Sequence, residues 1–264
     1  MDVTSTSAER FVKLDKAVNV LYLKCRNFQR NNPLPKMELL QDVISGMDFV
    51  QFTQAFGAVS KKYRDEDWLA KLHEIVFGLL RTRPENLPLR YKNICFDIAN
   101  RAQLIAGNDW YLVDVDLLPL FASLLNVQLR LVLHNEEEID ENKLAICASL
   151  IESIIKLVEE DDNDENEVPD HIAEQIEKQI RESIIFAFNF LLQSEAILSA
   201  KINAILFRVI CCYVVVTEGR TLVNVDVVYL RRCLKHIKST CTEITAELRI
   251  MFQTIEENNF LPEK

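Results

Sequence analysis

Apolar side chains recur every three or four residues along nearly the whole 264-residue chain, and only five glycines interrupt them. That spacing gathers apolar groups on one face of an α-helix, whereas a half-buried strand needs strict alternation. Average glycine usage of about 7 per cent would supply roughly eighteen. So few leave little material for tight hairpins or phosphate-cradling loops, and neither G-x-G-x-x-G nor G-x-x-x-x-G-K-[ST] occurs. With 49 per cent hydrophobic and 27 per cent charged residues, the chain is expected to be globular and all-α.

The first helix is expected from Thr6, which has capping-box spacing to Glu9, through Phe11, Leu14, Val18, Leu21, Cys25 and Phe28. NNPLP at 31–35 stops it. Gly46 has the place of a C′ residue after a short helix over 36–45, with a separate helix from Asp48 to Arg64 beyond it. Asp65 or Asp67 can cap a helix with Trp68, Leu72, Ile75, Val76 and Leu79 on one face. Tyr91, Ile94, Ile98, Ala102 and Ile105 mark the next, closed by Gly107. The segment DVDLLPLFASLLNVQLRLVL is apolar on most sides, which predicts the centre of the core. Asp116 can cap it, and Pro119 falls in its tolerant first turn.

Helices through Leu144–Val158 and Ile172–Phe188 flank the run EEDDNDENEVPD, which has eight acids, no base, and Pro169 at a first helical position. Residues 196–216 predict another helix; its VICCYVVV suits a strand by propensity alone, with no partner strand evident. Val227, Leu230, Leu234, Ile237, Cys241, Ile244, Leu248, Met251 and Ile255 keep the alternation to the end. They predict one long amphipathic helix that closes the domain or, in the sharper reading, forms a seam with a partner or a second copy. About ten helices in irregular pairs suit an armadillo- or HEAT-like stack, with a compact helical bundle as the alternative. A single domain over 1–264 is expected, with a flexible acidic loop at 159–169.

Charge is unevenly spread. Residues 1–110 hold 16 bases and 13 acids, and residues 111–264 hold 14 bases and 27 acids. A net charge of −10 is not the footprint of a general nucleic-acid or anionic-membrane binder, and a basic protein segment is the more natural partner. Seven cysteines, odd in number and without framework spacing, lie mostly in apolar helical patterns. They predict a reducing, intracellular setting, cytoplasm or nucleus. MDVTSTSAERF has no signal-peptide pattern, and the longest apolar run is too short to span a bilayer.

Motifs for chemistry are incomplete. An EF-hand loop starting at Asp161 puts Asn166 where glycine is required, and one starting at Glu159 puts Asp164 there. Asp161, Asp162 and Glu165 match the D-D-x-x-[DE] motif of all-helical terpenoid synthases, the basis of a metal-dependent enzyme alternative, but the second motif fails at Leu112. Cys233 and His236 have C-x-x-H spacing without a second pair. Four histidines and no G-x-S-x-G leave no marked nucleophile. No catalytic residue, metal or cofactor is therefore expected. The candidate interaction residues are Asp161, Asp162, Asp164, Glu165 and Glu167 of the acidic run, and Arg231, Arg232 and Lys235 of LRRCLKHIK. The expected role is a non-enzymatic scaffold or adaptor that takes a partner peptide or helix, with a dimer through 227–255 as the alternative.

Overall fold

The computed structural model describes residues 3–28, 34–55, 67–82, 87–134, 138–159, 168–194, 198–218, 227–240 and 245–258. Every regular element among them is helical. In order they are α1 (Val3–Phe28), α2 (Met37–Ala55), α3 (Trp68–Leu80), α4 (Leu89–Ala106), α5 (Asp109–Leu112), α6 (Leu118–Leu133), α7 (Glu141–Glu159), α8 (Asp170–Gln193), α9 (Ala200–Val216), α10 (Val227–Thr240) and α11 (Thr245–Glu257), with a 3-10 turn at Val115–Leu117. Two compact units divide the chain, Met1–Val115 and Asp116–Lys264.

In the first unit α1 pairs with α2 and α3 with α4, while α1 also lies on α3 and α2 on α4. Consecutive pairs stacked in chain order are how helical repeats cover their apolar faces. The expected all-α stack of helix pairs is the observed one. The buried stripes keep the 3-4 spacing: Leu14, Val18 and Leu21 on α1, Leu40, Val43 and Met47 on α2, Cys95, Ile98 and Ala102 on α4. Polar ties join the layers. The Tyr22 hydroxyl donates to Glu74 Oε2 at 2.9 Å, and Arg101 of α4 pairs with Asp48 of α2 and Asp97.

Two expectations in this unit are corrected. The first helix begins at Val3, so Thr6 is inside it and does not cap it. Gly46 does not end a helix, because α2 runs through it from Met37 to Ala55. A Cβ at position 46 would lie 3.0 Å from Leu14 Cδ1 and 3.2 Å from Leu14 Cβ. Glycine here permits close approach of α1 and α2, at about 1 kcal/mol of helix propensity. Residues 56–64 of the helix expected from Asp48 to Arg64 lie outside the described residues. Gly107 does stop α4: its φ is +65°, and its N–H donates to Gln103 O at 2.7 Å.

In the second unit α6 pairs with α7 and α8 with α9, α6 stacks on α8 and α7 on α9, and α10 and α11 both pack on α9. VICCYVVV is helical and fully enclosed from Val209 to Val214. The single long helix over 227–255 is not what forms. α10 ends at Thr240 and α11 begins at Thr245; residues 241–244 lie outside the described residues. Arg231 Nε is 2.8 Å from Glu256 Oε1, although 25 residues of continuous helix would separate them by roughly 37 Å. The chain has folded back. Leu230, Leu234, Ile237, Leu248, Phe252 and Ile255 are buried within the chain, so this stripe is not a free seam for dimerisation.

His73 is buried on α3, stacked on Phe77 at 4.3 Å and edge-on to Trp110 at 5.0 Å. Burial holds its imidazole down at about 4, with Arg81 acting the same way and Asp114 against it. The unfolded chain takes this proton near pH 6.5 (approximately the free value) and the folded chain only near 4, so stability falls as pH drops through that window. Thermal melts should show a loss of about 2 kcal/mol from this group between pH 7 and 5. The His73→Leu profile should be flatter by that amount. Separately, Gly46→Val should lower the urea midpoint, at about 1–3 kcal/mol, by forcing Leu14 aside.

Candidate functional site

Leu120, Leu124, Val127 and Leu131 are spaced i, i+4, i+7, i+11 on α6 and so share one face. Leu120, Val127 and Leu131 are 38, 52 and 54 % exposed. The opposite face carries Phe121, Leu125, Leu129 and Leu133, all buried against α7 and α8. Apolarity on most sides predicted the centre of the core; α6 instead keeps an apolar strip at the surface, and the enclosed helix is α9. By length and mean hydropathy (1.5), Val115–Leu133 would suffice to cross a membrane, yet 44 % of it is buried in the fold.

A polar seam borders the strip. Asn126, itself buried, donates from Nδ2 to Gln179 Oε1 at 3.4 Å and Glu182 Oε2 at 3.3 Å on α8. Arg130 Nε donates to Asn126 Oδ1 at 2.9 Å, and its guanidinium sits 4.6 Å from the centroid of Phe186. These bonds hold α6 to α8 along one edge and leave the strip uncovered. Ile185 and Leu192 of α8 and Val228 of α10 are also exposed, whereas among the described residues α7 and α9 expose no large apolar side chain.

The candidate residues of the acidic run, Asp161, Asp162, Asp164, Glu165 and Glu167, lie outside the described residues. The basic group does not act together. Arg231 turns to Glu256 on α11, while Arg232, itself exposed, borders a cleft of about 240 Å³ with Asn203, Tyr229, Cys233 and His236. Lys235 is on the exposed outer face. Asn203, on α9, carried no motif and was not anticipated. Burial raises the Cys233 thiol above its ordinary value, against opposing effects of Tyr229 and Arg232, so it stays protonated at neutral pH. Among the described residues no group of three His, Cys, Asp or Glu side chains could hold a metal ion.

Helix pairs stacked in chain order place the molecule among helical repeat-like proteins. The chain belongs to the Neurochondrin family, whose model matches residues 1–255. No curated protein and no solved structure matches it.

Leu131→Lys should leave stability within about 0.5 kcal/mol of wild type, because the site is solvated. Leu125→Ala, six residues away on the buried face, should cost about 2–5 kcal/mol. Urea unfolding of both variants checks the assignment of the two faces.

Proposed function

We propose that the protein is a non-enzymatic interaction module that seats an amphipathic helix of a protein partner on the α6 strip. The observation that carries this reading is the i, i+4, i+7, i+11 row Leu120, Leu124, Val127 and Leu131, of which Leu120, Val127 and Leu131 are exposed and Leu124 is half-buried. A row of that spacing is the counterpart of a partner helix presenting its own apolar stripe. A row with three large aliphatic groups exposed is also what marks a binding site on an otherwise ordinary surface. Partners with basic flanks are favoured, because residues 111–264 carry 27 acids against 14 bases. The free cysteines suit a reducing, intracellular setting for the encounter.

The test is affinity capture with wild type and a Val127→Asp/Leu131→Asp double variant whose melting temperature is unchanged. Partners that bind through the strip should be lost from the variant by at least tenfold. Neutralising Asp161, Asp162, Asp164, Glu165 and Glu167 should weaken the same partners several-fold at low salt and little at high salt. Recovery of identical partners on the double variant would remove α6 from consideration.

A further inference from the structure

Helix α1 is apolar on two sides. Leu14, Val18 and Leu21 are buried where it packs on α2 and α3. Val12, Val20 and Leu23 point the other way and are 66, 38 and 59 % exposed. Positions 12, 16, 20 and 23 are spaced i, i+4, i+8 and i+11, so they share one face, with Lys16 between the two valines. Lys13 and Lys24 lie along its edge, and all three lysines are exposed. The outward sector from Val12 to Lys24 therefore mixes aliphatic groups with cations over about three turns, roughly 18 Å.

The neighbouring acids are placed elsewhere. Asp15 and Tyr22, two turns apart on the α3 side, both lie in the field of Lys71, and Glu74 of α3 accepts from the Tyr22 hydroxyl at 2.9 Å. Helix α2 exposes Glu38 and Asp42, but among the described residues no ion pair joins either to Lys13, Lys16 or Lys24. Glu9, a turn ahead of Lys13, is the acid of α1 in register with the outward face, so cations outnumber acids there three to one.

Solvation explains exposed lysines, and single exposed aliphatic groups are ordinary. Three aliphatic groups in one register, with lysine stems between them, instead make a continuous apolar strip edged by ammonium groups. Its complement is a helix with an aliphatic row of its own and carboxylates beside that row, because flanking charges fix partner and orientation when two helices pair. A lipid surface fits less well: Lys16 stands within the row rather than at its border, and a chain of net charge −10 is repelled by anionic headgroups. We infer that the outward face of α1 docks an acidic amphipathic helix of another protein, with its carboxylates on Lys13, Lys16 and Lys24 and its aliphatic side chains on Val12, Val20 and Leu23. This surface is separate from the α6 strip and has the opposite charge preference.

The test uses the full chain and a helical Leu/Glu peptide with leucines at i, i+4, i+7 and i+11 and glutamates beside them. A scrambled peptide of equal composition, a Leu/Lys peptide and phosphatidylserine vesicles are the comparison probes. Calorimetry gives affinity at physiological salt, and peptide-resolved hydrogen exchange locates the contact. The Leu/Glu peptide should bind at least tenfold tighter than the scrambled and Leu/Lys forms and slow exchange in α1 at least threefold. Lys13→Glu/Lys16→Glu/Lys24→Glu should weaken it at least tenfold, and Val12→Gln/Leu23→Gln at least fivefold, both with unchanged melting temperature. Lys156→Glu/Lys178→Glu/Lys238→Glu, an equal charge change on exposed lysines of the second unit, should shift it less than twofold, and so should Val127→Asp/Leu131→Asp on α6. No binding of the Leu/Glu peptide, equal binding of the scrambled form, equal losses from the two lysine triples, or protection on α6 in place of α1 would each overturn the inference. Vesicle binding through the same lysines, without peptide binding, would overturn it in favour of a lipid surface. Failure of the α6 reading leaves all these outcomes as they stand.

Discussion

The enclosure of α9 organises the second unit. Ala204, Leu206, Phe207, Val209, Ile210, Cys211, Cys212, Tyr213 and Val214 are buried on successive sides of the helix. A helix apolar all round cannot rest on a surface, so other elements have to surround it. α7, α8, α10 and α11 all do. Within the enclosed stretch Ala204–Val214 the charged exception is Arg208, whose Nε sits 2.9 and 3.0 Å from the two oxygens of Glu152 on α7. Such a pair adds little against an apolar alternative, but neither partner can be spared once the other is there. Its value is to fix α7 on α9 in one register.

What happens at the C-terminal end follows from the same requirement. One straight helix over 227–255 would present its stripe along a line roughly 40 Å long, well beyond the roughly 25 Å of the 17-residue α9. Folding back into α10 and α11 puts both halves of the stripe on α9, and Phe207 meets Phe252 with ring centroids 6.2 Å apart. Helix α6 has the opposite situation. It packs chiefly on α8 and α7, and the Asn126–Gln179–Glu182 seam holds it there at one edge. An apolar segment covered from one side only must leave the remainder in solvent.

Much of this was legible in the sequence, and the failures share a cause. Periodicity identifies the apolar face of each helix, and most positions that the spacing marks on α3, α7, α8 and α10 are buried, whereas on α4 Ile94 is half-buried and the unmarked Cys95, Phe96 and Ala99 are enclosed. Pro169, expected at the first helical position, lies just ahead of α8 at Asp170, and Ser199, which caps α9 with its Oγ accepting from Ile202 N, carried no expectation. Periodicity cannot say which neighbour covers a face. Gly46 resembles a stop because glycine usually is one, and only the nearness of Leu14 reveals the other use. The α6 strip was read as core because the cover on one of its faces was assumed for the other. The α9–α10 cleft was half legible: Arg232 was marked by its basic neighbours, but Asn203 comes from a segment 29 residues earlier that carries no motif.

A basic face on α10 arises from solvation alone, since its apolar side is consumed by α9 and bases lessen repulsion in an acidic surround. Its cations are placed accordingly: Arg231 has Glu256, Lys235 faces outward, and Arg232 is exposed at the rim of a cleft whose wall is pinned by Tyr229.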